Sequence, residues 1–192
     1  ADEFKIPVYL YGESARLPMR HYIENIREGE YEGLEAKLKD PRWKPDFGPS
    51  VFHPAAGATI IGARHPMISF KARLDTPDEA VAEAIGRLLQ HSHGGLAHVN
   101  AYAGLDSEHG AAQITVTIAN YRAMPMYRAL EMLRSEARRF GASVRQVEMI
   151  GLVPETAFIE SAFYYLGIRD FPLDKILERK IQTDLDERNR PS

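Results

Sequence analysis

Pro66-Met67-Ile68-Ser69-Phe70-Lys71-Ala72-Arg73-Leu74-Asp75-Thr76-Pro77-Asp78-Glu79 runs from a partly alternating apolar stretch straight into a helix start, and this junction decides the fold. Met67 to Leu74 predicts a strand with one face turned to a core. Thr76-Pro77-Asp78-Glu79 predicts a helix N-terminus, with Thr76 as cap, Pro77 in the first turn and Glu79 reaching back. Val81, Ile85, Leu88 and Leu89 then share one helical face, and the helix runs out near His93-Gly94-Gly95. Val99 to Leu105 reads as a second strand that turns at Glu108-His109-Gly110 into a third, Ala112 to Ala119. Pro125 opens a second helix, with Met126, Leu130, Leu133, Ala137 and Phe140 at alternating spacings of four and three. Gly141 suits its end, and Ser143 to Met149 reads as a fourth strand. The order over about 64–150 is β-α-β-β-α-β, which predicts an α+β, ferredoxin-like sandwich: an antiparallel sheet with both helices on one face.

Downstream, a helix fits Glu155 to Leu166 and stops at Gly167; residues 181–192 form a charged tail, expected to fray beyond about Asp184. Upstream, Ile6-Pro7-Val8-Tyr9-Leu10-Tyr11 is a continuous apolar run ending at Gly12, the pattern of a strand buried on both faces. No earlier strand precedes it, so an upstream portion is expected, in a partner half that covers the apolar edge. A helix is predicted from Pro18 to about Glu28. Gly29 to Gly62 carries no sustained period, and Trp43, Phe47 and Phe52 anchor it as an ordered loop, a length that usually signals function.

Composition sets the bounds. Of the 192 residues 44% are hydrophobic and 27% charged, as in an ordinary globular chain. The net charge of -3 offers no whole-molecule attraction to phosphate backbones, which argues against a nucleic-acid partner. No apolar run reaches the ~18 residues of a membrane span. Without cysteine there is no thiolate nucleophile, disulfide or Cys-ligated metal, and a cytoplasmic setting is the default expectation.

Several blocks, in order, resemble a known family. Pro7-Val8-Tyr9-Leu10-Tyr11-Gly12-Glu13, Arg27-Glu28-Gly29-Glu30-Tyr31-Glu32 and Trp43-Lys44-Pro45-Asp46-Phe47-Gly48-Pro49 are similar to the second half of the formiminotransferase domain. Gly57-Ala58-Thr59-Ile60-Ile61-Gly62-Ala63-Arg64, Gly94-Gly95-Leu96 and Ile150-Gly151-Leu152-Val153-Pro154 continue the match, which reaches from about residue 6 to 180. The resemblance implies transfer of a formimino group from N-formiminoglutamate to tetrahydrofolate, the co-substrate, in histidine degradation, with no metal. It implies two facing α/β subdomains with folate in a tunnel between them. On this reading residues 1–60 are the C-terminal part of the first subdomain and residues 61–180 the second.

The resemblance also assigns a folate-contacting stretch: Gly48, Pro49, Ser50, Val51, Phe52, His53, Pro54, Ala55, Ala56 and Gly57. Glycines let backbone approach a flat ring closely, and prolines reduce the entropy lost on binding. Phe52 can pack on the ligand while Ser50, His53 and backbone amides hydrogen-bond to it. Read from the residues alone, the same loop is equally a linker whose Phe52 fills core.

Formimino transfer needs a proton shuttle, and a histidine near neutral pKa suits it. In the family that histidine belongs to a His-Pro-Arg-containing motif upstream of the matched blocks. His65-Pro66-Met67 is similar to it only superficially and has no Arg, so no catalytic residue is assigned in this chain. A companion half carrying the histidine, or a homo-oligomer, is the expected partner. Lys71 stands where the family has Asn, Thr117 replaces another Asn, and Arg145-Gln146-Val147-Glu148 replaces a Gly-Ser-Glu-like pattern. Such changes admit an altered donor, or a noncatalytic ferredoxin-like module that binds a small molecule or regulates. His91, His93, His98 and His109 lack carboxylates at ligand spacing, and Arg128, Arg134, Arg138 and Arg139 interleave with Glu131 and Glu136 as a solvated face. Glu13 and Asp46 read either as holders of a substrate nitrogen or as turn and cap residues.

Overall fold

The computed structural model describes residues 1–188. The chain divides into two compact units, one spanning Ala1–His65 and the other starting at Pro66.

The first unit opens with β1 (Val8–Gly12), whose apolar residues bury Val8 and Tyr9. A 3-10 turn, Pro18–Arg20, and a short helix α1 (Ile23–Arg27) follow. The single helix expected over 18–28 is thus broken, because Tyr22 is extended (φ -94°, ψ 125°) and Arg20 turns into the core. α2 (Glu30–Lys39) lies inside the stretch expected to be loop. It turns only Leu34 and Leu38 fully inward, joining Tyr9, Ile26 and Trp43 in a small core. Lys37 of α2 caps α1, donating to the carbonyls of Asn25 (3.1 Å), Ile26 (2.9 Å) and Glu28 (2.7 Å).

β1 has a partner within the chain. β2 (Thr59–Ala63) pairs with it in parallel, Val8 opposite Thr59 through Gly12 opposite Ala63. The other edge of β1 is closed as well: Val8 N donates to Phe47 O (2.9 Å), Leu10 N to Asp46 Oδ2 (2.8 Å) and Gly12 N to His21 O (3.2 Å). The open edge expected at the first strand therefore belongs to β2, whose outer side no strand pairs among the described residues.

The second unit has the predicted element order: β3 (Ile68–Leu74), α3 (Glu79–Leu89), β4 (Val99–Asp106), β5 (Ala111–Ile118), α4 (Met126–Arg139) and β6 (Val144–Ile150). The strands lie in the order β4-β5-β3-β6, every pair antiparallel. Strict alternation explains the core: Ile68, Phe70, Ala72 and Leu74 of β3 and Ala112, Ile114, Val116 and Ile118 of β5 are buried against Ala82, Ile85 and Leu89 of α3 and Ala129, Leu133 and Ala137 of α4. The apolar faces shift slightly from expectation, since Leu88 and Phe140 are exposed and Gly86 and Ala129 take the inner positions. The cap of α3 is Asp78, which accepts from Ala80 N (2.9 Å), while Thr76 Oγ1 accepts from Asp78 N (3.2 Å) one step earlier.

α5 (Glu155–Leu166) ends at Gly167, which takes the left-handed conformation. α6 (Leu177–Arg188) follows, so the tail expected to fray beyond Asp184 is helical to Arg188; residues 189–192 of that expectation lie outside the described residues. Among the described residues no helix is long and apolar enough to cross a membrane.

Candidate functional site

The loop of residues 48–57 is pinned at both ends. Gly48 has φ +77°, and a Cβ there would stand 2.4 Å from Ile6 O; Gly57 has φ +62° and sits against the Tyr31 ring. Only glycine meets both demands at Gly48. Between these points the loop is tied to α2: Ser50 Oγ donates to Leu38 O (3.1 Å), and the Tyr31 hydroxyl donates to Pro54 O. Gly57 N donates to His53 O (2.7 Å), and Ala56 N to His53 Nδ1 (3.0 Å). An Nδ1 that accepts leaves the proton of a neutral imidazole on Nε2, as an outward donor.

Phe52 is half-buried, tilted on Tyr31 with 5.3 Å between ring centroids, and packs against the Tyr9–Trp43 core. Val51 is 65% exposed, and Pro54, Ala55 and Ala56 also face solvent. The loop therefore keeps one fixed shape with its apolar anchor inside and its backbone at the surface. Such a loop presents a ring donor and the Ala55 amide at its surface.

Asp46 is not among the surface groups. Its carboxylate accepts from Arg20 Nη1 (2.9 Å) and Leu10 N (2.8 Å), and its side chain is 4% exposed. Of the two readings open for it, the structure selects the internal one. Glu13 is exposed and lies 3.9 Å from His65 Nε2, beyond hydrogen-bond reach.

In the second unit the helix-free face of the sheet carries a cavity of about 450 Å³, lined by Lys71, Arg73, Asp106, His109, Gln113 and Glu148 among others. Asp106 organises one wall. It accepts from Arg73 Nη1 (3.3 Å), from the backbone N–H of Glu108 (3.1 Å) and from His109 through N–H (3.3 Å), with His109 Nδ1 at 2.9 Å. Burial raises the Asp106 pKa, but the hydrogen bonds from His109 and Arg73 outweigh it and hold the carboxyl below its ordinary range. Arg73 also donates to Gln146, and Ser69 Oγ meets Thr117 Oγ1 at 3.0 Å on the same face. Lys71, Thr117, Gln146 and Glu148 thus share this face.

Sequence reasoning found no cavity here, because its lining comes from four strands and a hairpin. The alternation in β3 and β5, with Lys71, Arg73 and Gln113 at odd positions, is the signal that points to it. Among the described residues no group of three or more His, Asp or Glu side chains is arranged to hold a metal ion. Arg134 pairs with Glu131 (2.7 Å) and Arg139 with the buried Glu136, so α4 carries an ion-paired surface.

Two α+β units, the second built on an antiparallel sheet with an open polar face, place the chain in a class of two-unit α+β proteins. Within that class the comparison is specific. The family model for "Formiminotransferase domain, N-terminal subdomain" matches residues 1–64, and that for "Formiminotransferase domain" matches residues 78–183. The chain belongs to the formiminotransferase family. It is 42% identical over 183 residues to a glutamate formimidoyltransferase of Thermoplasma acidophilum, covering 94% of this chain and 60% of the relative. A glutamate formimidoyltransferase of Streptococcus pyogenes is 37% identical, covering 93% and 60%. A formimidoyltransferase-cyclodeaminase of Rattus norvegicus is 35% identical, covering 86% of this chain and 31% of the relative. The chain spans about 60% of the length of the two glutamate formimidoyltransferases.

Proposed function

We propose that this chain supplies the folate-binding part of a formiminotransferase, which moves a formimino group from N-formiminoglutamate to tetrahydrofolate in histidine degradation. The observation that carries this reading is the coincidence of the family match over residues 1–64 with a glycine-pinned loop, 48–57, inside it. In the transfer a folate nitrogen attacks the formimino carbon, and the carbon–nitrogen bond to glutamate breaks. The proton lost from the folate nitrogen ends on the departing glutamate nitrogen, so a shuttle between the two is needed. The loop binds and orients the folate: His53 Nε2 and the Ala55 backbone N–H donate to it beside Val51. The shuttle histidine is assigned to the part of the relatives that this chain does not span, supplied by a companion half or a longer polypeptide. A reducing, cytoplasmic setting accords with a chain that has no cysteine.

Calorimetric titration with folinic acid, a stable reduced folate, tests the reading. Binding that weakens about tenfold in a Phe52→Ala, His53→Ala double variant supports it. A folded chain that binds no folate, with or without the upstream half added, overturns it. That result would leave the rival reading, a noncatalytic small-molecule-binding or regulatory module, which the changes at Lys71 and Thr117 favour.

A further inference from the structure

Tyr31, the second residue of α2, touches the loop of residues 48–57 at three points. Its hydroxyl donates to Pro54 O, and its ring lies tilted on Phe52 with 5.3 Å between centroids. The same ring stands where a Cβ at Gly57 would meet it at 3.2 Å. α2 adds a further tie, from Ser50 Oγ to Leu38 O (3.1 Å). The backbone is strained just before Tyr31: Gly29 has φ +83°, and Glu30, which carries a Cβ, has φ +47°. A left-handed residue other than glycine is costly and persists only where its surroundings hold it, often beside a functional group. Here the group it places is the Tyr31 side chain.

No peptide bond among the described residues is cis, and a trans peptide is planar, so the Ala55 N–H points opposite to the Pro54 carbonyl. The Tyr31 hydroxyl holds that carbonyl toward α2, which turns the Ala55 N–H away from the helix. Among the described residues nothing accepts from that N–H. The ring contact fixes Phe52, the residue before His53, whose Nδ1 accepts from Ala56 N (3.0 Å). Ala55 N–H and His53 Nε2, the two donors of the loop, therefore both take their direction from Tyr31. We propose that Tyr31 is a positioning residue of this site, which aims the two donors at the ligand by holding the loop in one shape. Its effect on ligand affinity rests on the folate reading above; its hold on the loop rests only on the contacts.

Tyr31→Phe keeps the ring on Phe52 and loses only the hydroxyl, whereas Tyr31→Leu loses both. The test compares them with the 192-residue wild-type chain, by calorimetric titration with folinic acid and by NMR of the unliganded proteins. In Tyr31→Phe the Pro54 carbonyl-carbon resonance is expected to shift. Affinity for folinic acid is expected to fall about fivefold, the scale of one neutral hydrogen bond. In Tyr31→Leu it is expected to fall about thirtyfold, and the His53 ring-nitrogen shifts to move from the Nε2-protonated form toward a mixture of tautomers. A merely structural role would lower the denaturation midpoint and leave the Pro54 and His53 signals where they are. Wild-type affinity in both variants overturns the proposal, and so does an unshifted Pro54 resonance in Tyr31→Phe. If the wild type binds no folinic acid the folate reading falls, and the Pro54 and His53 signals still decide whether Tyr31 sets the loop.

Discussion

Arg20 Nη1 donates to Asp46 Oδ2 at 2.9 Å, with the two side chains only 2% and 4% exposed. Arg20 Nη2 adds bonds to the carbonyls of Arg42 (3.0 Å) and Lys44 (2.7 Å), and the guanidinium lies over the rings of Tyr9 and Trp43. One buried cation thereby ties the turn after β1 to the segment that closes the edge of β1. Arg20 Nε is buried without a hydrogen bond, so the carboxylate carries much of the compensation. Asp46→Ala would strand the charge, and loss of one partner of a buried pair costs about 3–5 kcal/mol. Trp43, the chain's single tryptophan, belongs to this core and reports on it. Urea denaturation followed by its fluorescence should show that loss, with Asp46→Asn costing less. An unchanged midpoint in Asp46→Ala would refute the assignment.

The two units differ in how much of them the sequence discloses. In the second, period-two alternation in β3 and β5 and the spacing in α4 each match one face of a single core, so element type and order follow from local pattern. In the first, α2 buries only Leu34 and Leu38 amid charged residues, with Gly33 just before them, and no run of apolar positions betrays it. β2 is short and mostly exposed, and it becomes a strand by pairing with β1 rather than by its own pattern. Asp46 finds Arg20 across 26 positions, a relation visible only in three dimensions. The same holds for Lys71 and Glu148, whose register across β3 and β6 brings them together. The bonds that fix the shape of the loop at 48–57 come from α2, which the sequence did not reveal.

The glycines give a paired prediction. At Gly48 a methyl group would meet both a positive φ and a backbone oxygen that cannot move aside, whereas Gly94 has φ +82° with open space around it. Gly94→Ala should cost about 1–2 kcal/mol for the left-handed conformation alone. Gly48→Ala should cost more, about 2–3 kcal/mol, since strain and collision combine. It should also weaken folinic acid binding by shifting the loop. Denaturation midpoints of the two variants, measured side by side, check the order.

Asp106 makes an acid-limb prediction. Its carboxyl is held below the ordinary value of 3.8, so the unfolded chain takes up a proton at higher pH than the folded one. The stabilisation is fully present above about 3.8 and fades as the pH falls through the folded value. Asp106→Asn should flatten that part of the pH profile of denaturation.

Tyr9 governs the alkaline side of the first unit. Its hydroxyl donates to Trp43 O at 2.7 Å, and the ring is almost fully buried. Burial pushes the phenol up to about 12; the nearby Arg20 charge opposes this and the Asp46 charge adds to it. The folded state therefore keeps its proton where the unfolded chain, with an ordinary value of 10.0, loses one. Protons bound in the folded state exceed those in the unfolded state between these values, so stability falls as pH rises through them. Below 10.0 the contribution is complete. Trp43 fluorescence during alkaline denaturation should show this loss, and Tyr9→Phe should remove that alkaline slope while costing about 1 kcal/mol at neutral pH for the lost hydrogen bond. Tyr165, also pushed to about 12 by burial and by its bond to Glu131, lies in the second unit. Its ionisation should appear in tyrosinate absorbance whether or not Tyr9 is present. A slope in Trp43 fluorescence that persists in Tyr9→Phe would place the alkaline transition elsewhere.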